Sequence, residues 1–170
     1  VYGDLKFSKK KFNESTFIKP SSPYSASKAS ADHLTLSYFR THNLPVIITR
    51  SSNNYGSFQS YEKLIPKTIN QIINNKKITI YNKGLEMRDW IFVDDNIEAI
   101  LKVMNNGKIG EIYNIGSGHN ITNIKLVGMI LNILDEKQRK KRRVIDVIKY
   151  VKDRPGHDYK YLIDNLKISN

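Results

Sequence analysis

Short β-branched runs alternate along this chain with longer helical patterns, and that alternation restricts it more than any other feature. Val46-Ile47-Ile48-Thr49-Arg50 is bounded by turn signals and reads as a buried strand. Ile78–Tyr81, Trp90–Val93, Glu111–Ile115 and Ile145–Tyr150 read as further strands. Between them lie helical segments. One runs from about Tyr24 to Thr41, opened by Ser22 as a cap and Pro23 at the first helical position. A second spans Glu62–Asn75, with Leu64, Ile65, Ile69, Ile72 and Ile73 as its apolar stripe. A third follows a cap at Asp94 or Asp95 and ends near Asn106, and a fourth covers Asn123–Glu136. The class this predicts is α/β.

Composition narrows the chemistry. The 170 residues contain no cysteine, which excludes disulfides, thiolate metal sites and a cysteine nucleophile. That composition fits a cytoplasmic protein. The four histidines show no metal-ligand spacing, so no metal is expected. No run is long and apolar enough to span a membrane. The net charge of +12 attracts phosphates of any kind. Much of the excess sits in Lys137-Gln138-Arg139-Lys140-Lys141-Arg142-Arg143. No aromatic residues interleave there to stack bases, so the run reads as a solvated loop between helix and strand, not a nucleic-acid patch.

The chemistry begins at Tyr24-Ser25-Ala26-Ser27-Lys28. Residues i and i+4 share a helix face. An ammonium beside a phenol favours the phenolate, so such a pair suits a general base acting on an alcohol. Small residues between the two allow a flat cofactor to approach. The strand at Val46 then runs into Arg50-Ser51-Ser52-Asn53-Asn54-Tyr55-Gly56, and α/β sheets bind ligands at such strand ends.

At this point the chain resembles the extended short-chain dehydrogenase/reductase family, nearest to its dTDP-glucose 4,6-dehydratases. The resemblance rests on ordered blocks: Val1-Tyr2-Gly3-Asp4, Pro20–Lys28, Ser52–Gly56, Glu62–Pro66, Tyr81–Gly84, Arg88-Asp89-Trp90, Tyr113–Gly116 and Asp153–Asp158. It implies the C-terminal part of a Rossmann-type doubly wound parallel sheet plus a smaller α/β substrate-binding domain. Residues 1–60 and 94–120 would belong to the first, and 61–93 and 121–170 to the second.

The resemblance also implies roles. Tyr24 is the catalytic base and Lys28 its partner on the nicotinamide ribose. Asn53 meets the sugar or diphosphate and borders the cofactor. Lys63 and Leu64 touch the nucleotide, and Tyr81 packs near the base. Arg88 clamps the diphosphate, and Asn123, Arg154 and His157 supply further nucleotide contacts. The implied reaction is that of a lyase in deoxysugar synthesis: NAD-linked oxidation at carbon 4, loss of water across carbons 5 and 6, and re-reduction at carbon 6. Its elimination needs an Asp–Glu pair that the family carries directly before Val-Tyr-Gly. The glycine-rich nucleotide fingerprint would lie further upstream. This chain alone is therefore expected to be inactive and marginally stable.

The substrate implied is a nucleotide sugar, dTDP-glucose or UDP-glucose. Leu34, Tyr38 and Phe39 would pair two copies as a homodimer. Two alternatives stay open: a UDP-sugar dehydratase, epimerase or decarboxylase of the same superfamily, and a non-catalytic remnant binding nucleotide or nucleic acid. Singly, each site residue has a plainer account. Arg88–Asp89 reads as a surface ion pair, His157 as a turn residue, and Trp90, Phe92 and Tyr113 as core.

Overall fold

The computed structural model describes residues 1–153 and 155–169; Arg154 lies outside them. The elements alternate as the sequence predicts. Helix α1 covers Pro23–His42 and α2 covers Leu64–Ile73. Helix α3 covers Val93–Asn106 and α4 covers Asn123–Gln138. Two single-turn helices, α5 at Val144–Val147 and α6 at Leu166–Ser169, and a short 3-10 helix at Asn82–Gly84 join them. The strands are β1 (Ile48–Ser51), β2 (Asn53–Tyr55), β3 (Ile78–Tyr81), β4 (Met87–Phe92), β5 (Ile112–Ile115), β6 (Asn120–Thr122) and β7 (Ile148–Val151).

Three small sheets result. Strands β1 and β5 pair in parallel, as do β3 and β7. The third has the order β2-β4-β6, parallel on one side of β4 and antiparallel on the other. The apolar stripes of α2 and α4 close over β3–β7. There Ile72, Ile78, Ile80, Val127, Leu131 and Ile148 form the main buried cluster. A second cluster gathers Tyr2, Phe12 and Ile163, with Tyr161 packed against it.

Several expectations need correction. Ile145–Tyr150 is not one strand. Val144–Val147 winds into α5, with Arg143 and Asp146 paired across it at 2.7 Å, before β7 begins. Neither Asp94 nor Asp95 caps α3; Phe92 holds the cap position, and both aspartates lie in the first turn, where the helix dipole favours them. Strands β2 and β6, three residues each, have no periodicity long enough to read. Phe92 is exposed, not core. Phe39 does not share an outer face with Leu34 and Tyr38, because its ring lies over Gly110, where a Cβ would come within 2.4 Å of it. Among the described residues no helix is long and apolar enough to cross a membrane.

The basic run is less solvated than expected. Its first residues extend α4, and Arg139 ends that helix in the left-handed conformation. Arg142 then turns inward. Its Nη2 and Nε reach Asp135 Oδ1 at 2.5 and 2.9 Å, its amide N–H reaches Asp135 Oδ2 at 2.7 Å, and Nη1 reaches the Ile72 carbonyl. The hydrogen bonds from Arg142 hold the buried Asp135 carboxyl below the usual carboxylate range. A carboxyl with a depressed folded pKa stabilises the fold above its unfolded pKa and loses that contribution as pH falls through the folded value. Asp135→Asn should therefore cost about 1–2 kcal/mol at pH 7, where it takes the carboxylate away from the half-buried Arg142. In urea titrations the gap between the two proteins should narrow as the pH is lowered below 4.

Candidate functional site

Helix α1 begins as the sequence dictates. Ser22 accepts a hydrogen bond from the Ser25 amide, and Ser25 Oγ accepts one from the Ser22 amide, which closes a reciprocal cap. Pro23 enters the first turn without losing a needed donor. This places Tyr24 and Lys28 one turn apart at the start of the helix. Tyr24 is 76% exposed and Lys28 is exposed too. Neither side chain is tied up by a neighbour among the described residues. Ala29, on the inner face, is the helix's buried residue.

Strand β4 positions Arg88 and Asp89, and neither is at the surface. Asp89 is wholly buried and turns away from Arg88. Its carboxylate accepts from the Ser117 amide at 3.0 Å, the Ser117 hydroxyl at 2.5 Å and the Gly118 amide at 3.1 Å. Gly116 is required beside it, since a Cβ would sit 2.7 Å from Asp89 Oδ2. Arg88 is 6% exposed. Its Nη1 donates to the carbonyls of Met87 (2.8 Å) and Tyr159 (3.2 Å), and its Nη2 to that of Asp158 (2.7 Å). The guanidinium carbon lies 4.5 Å from the ring centre of Tyr161. The Tyr161 hydroxyl donates to Asn53 Oδ1 at the start of β2. Asn53 and Arg88 are thus brought together through a residue absent from the candidate set.

A second group forms at the end of β3. The Tyr81 ring meets the His157 ring edge-on, with centroids 6.4 Å apart. His157 Nδ1 lies 2.7 Å from Asp153 Oδ1. Asn123, the first residue of α4, donates from Nδ2 to Glu86 Oε2 at 3.3 Å. Glu86 is 1% exposed, and ligand atoms of Glu86, Asp153 and His157 fall within 4.8 Å of one another. Lys63 is exposed, stands at the N-cap position of α2 without a side-chain cap, and pairs with Glu62 at 2.9 Å. Leu64 packs against the main core cluster.

Residues 155–161 tie these groups together. Ser21, just before the α1 cap, donates to Asp158 Oδ1 at 2.6 Å. Gly156 has φ +67, and a Cβ there would meet the Ser21 carbonyl at 2.8 Å. The same short segment lends its carbonyls to Arg88, its imidazole to the Tyr81 contact and its Tyr161 to Asn53.

The match to known proteins decides the family. The family described as GDP-mannose 4,6 dehydratase matches residues 1–170. The chain belongs to that family. Its curated relatives include dTDP-glucose 4,6-dehydratases of Haemophilus influenzae, 47% identical over 99% of this chain and 51% of the relative, and of Escherichia coli K12, 48% identical over 92% and 44%. The chain spans about half the length of the curated relatives it matches. Among solved structures, the Streptomyces venezuelae dTDP-glucose 4,6-dehydratase DesIV, with NAD and TYD bound, superposes at TM-score 0.91. It is 38% identical over 99% of this chain and 50% of its own. A Bacillus cereus UDP-glucuronic acid 4-epimerase follows at 0.87 and 25% identity over 99% and 51%. The α/β fold expected from the sequence is thus that of Rossmann-type dehydratases.

Three contributors escaped the sequence reading: Glu86, Asp158 and Tyr161. Tyr161 lies just past the Asp153–Asp158 block, two residues from Tyr159, whose ring turns instead to Phe7 at 5.4 Å. Nothing in the sequence separates the two tyrosines. Gly156→Ala should force a left-handed backbone onto a residue with a Cβ and push it against Ser21. The expected loss is about 1–3 kcal/mol in urea unfolding, with faster amide exchange through residues 155–161.

Proposed function

We propose that this chain is part of a dTDP-glucose 4,6-dehydratase, carrying the catalytic tyrosine–lysine pair and most of the nucleotide-sugar surface. The observation that supports it best is Arg88: a buried guanidinium fixed by three carbonyls and an aromatic face, next to Asn53 at a strand end. An arginine bound this firmly presents its remaining N–H donors in one geometry, as recognition of a diphosphate requires. Relatives near 47% identity share the dehydratase description, whereas the Bacillus cereus epimerase matches at 25%, so the dehydratase reading is preferred.

Tyr24 and Lys28 fit an NAD site on their own evidence. Both are exposed, uncommitted and one turn apart, flanked by Ser25, Ala26 and Ser27, which leave room for a flat ring. Lys28 would hold the nicotinamide ribose, and Tyr24 Oη would take the proton of the sugar 4-hydroxyl as carbon 4 becomes a ketone. NAD, when bound, supplies the hydride acceptor and donor. Asn53, Arg88, Asn123 and His157 would hold the nucleotide diphosphate, with Tyr81 beside the base. Lys63, Leu64 and Arg154 belong to the same proposed set. Residues 1–60 with 94–120, and 61–93 with 121–170, would serve cofactor and substrate respectively. The sheet β2-β4-β6 takes strands from both groups and joins them.

Leu34 and Tyr38, 61% and 50% exposed and one turn apart on α1, supply an apolar strip for a homodimer. The cysteine-free composition suits the cytoplasm. Calorimetric titration with dTDP tests the central claim. Binding should be saturable at 150 mM salt and fall at least about tenfold in Arg88→Lys, which keeps the charge but loses the planar fork. Binding that collapses with salt and ignores the nucleotide would instead mark a nonspecific polyanion surface.

A further inference from the structure

The structure assigns to Tyr161 a role that its place in the chain does not announce: we propose that it is a positioning residue for nucleotide-sugar binding, orienting the Asn53 amide and steadying Arg88. The inference rests on the reading of Asn53 and Arg88 as sugar or diphosphate contacts. Its physical content lies in the amide. An Asn side chain presents an acceptor on one side and two donors on the other. The Tyr161 hydroxyl donates to Asn53 Oδ1, so the oxygen faces the tyrosine and the Nδ2 donors are left to face a ligand. Turned over, the same amide would offer a carbonyl to phosphate oxygens, which repel it.

The ring of Tyr161 does separate work. One edge packs on the buried Tyr2–Phe12–Ile163 cluster, which anchors it. Its face lies under the Arg88 guanidinium at 4.5 Å. A cation over an aromatic face is stabilised most where water is excluded, and Arg88 is buried. The single side chain therefore couples β2 to β4 at the point where both proposed contacts meet. Asn53 already neighbours Trp90 in the ladder, two residues beyond Arg88, so the backbone brings the strands together and Tyr161 sets the side chains.

Tyr161→Phe separates the two functions, since it keeps the ring and removes the donor. The measurement is calorimetric titration of the 170-residue chain with dTDP-glucose, alongside thermal melting of each variant. Tyr161→Phe should weaken binding about 3–10-fold, the worth of one oriented hydrogen bond. In an Asn53→Ala background the same substitution should add less than about twofold, because there is no amide left to orient. Asn53→Asp keeps an acceptor for Tyr161 but removes the donors, and should lose binding as Asn53→Ala does. Melting like that of the parent together with weakened affinity in Tyr161→Phe would agree with positioning. A Tyr161→Phe variant that binds like the parent while Arg88→Lys does not would overturn the Tyr161 role and leave the site assignment standing. An equal loss from Tyr161→Phe with and without Asn53 would also overturn it. Unchanged affinity in both Arg88→Lys and Asn53→Ala would remove the site reading and the Tyr161 role together.

Discussion

A buried guanidinium organises the candidate site, and the remaining contacts fall into place around it. Taking the Arg88 charge out of water costs several kcal/mol unless hydrogen bonds and a favourable field offset it. Three backbone carbonyls and the Tyr161 ring supply that compensation. Two of those carbonyls belong to Asp158 and Tyr159, some seventy residues away in the chain. The guanidinium therefore fixes the path of residues 155–161, and that path reaches Ser21 at the head of α1, Tyr81 at the end of β3 and Asn53 on β2. Glycine at position 156 is what lets the segment turn so close to Ser21.

The two hydrophobic clusters each support part of this arrangement. The larger one, between α2, α4 and β3–β7, holds the strand end that carries Tyr81 and the helix start that carries Asn123. The smaller one, around Tyr2, Phe12 and Ile163, holds Tyr161. Neither cluster contains a proposed catalytic group. Tyr24 and Lys28 instead project from the exposed start of α1, where a cofactor can reach them. The division is physically sensible: packing sets positions to a fraction of an ångström, and the reactive groups stand clear of it.

The same charge type serves two ends in this chain. Arg142 and the buried Asp135 close a part-buried pair that holds the turn after α4, which removes one arginine from what looked like a solvated basic loop. Arg88, also buried, has no carboxylate partner among the described residues; its neighbouring Asp89 serves the 116–118 turn instead. Adjacent residues on a strand point to opposite faces, so an Arg-Asp dipeptide in β4 cannot pair with itself. The surface ion pair suggested by sequence adjacency fails for that reason.

Local signals determined much of this protein. The cap at Ser22 with Pro23, the apolar stripes of α2 and the β-branched runs at Ile48 and Ile78 specify their elements because their causes are short-range: hydrogen bonds within a turn, and periodicity within a strand or helix. The Tyr24–Lys28 pair was legible for the same reason, as one helical turn sets it. The ordered blocks pointed to the family and nominated Asn53, Arg88, Asn123 and His157. Tertiary structure alone decided how these meet. The inward turns of Phe39 and Arg142, the opposed faces of Arg88 and Asp89, and the choice of Tyr161 over Tyr159 depend on contacts between residues far apart in the chain. No local pattern encodes such contacts, because burial and pairing are properties of the assembled surface, not of the segment that supplies the side chain.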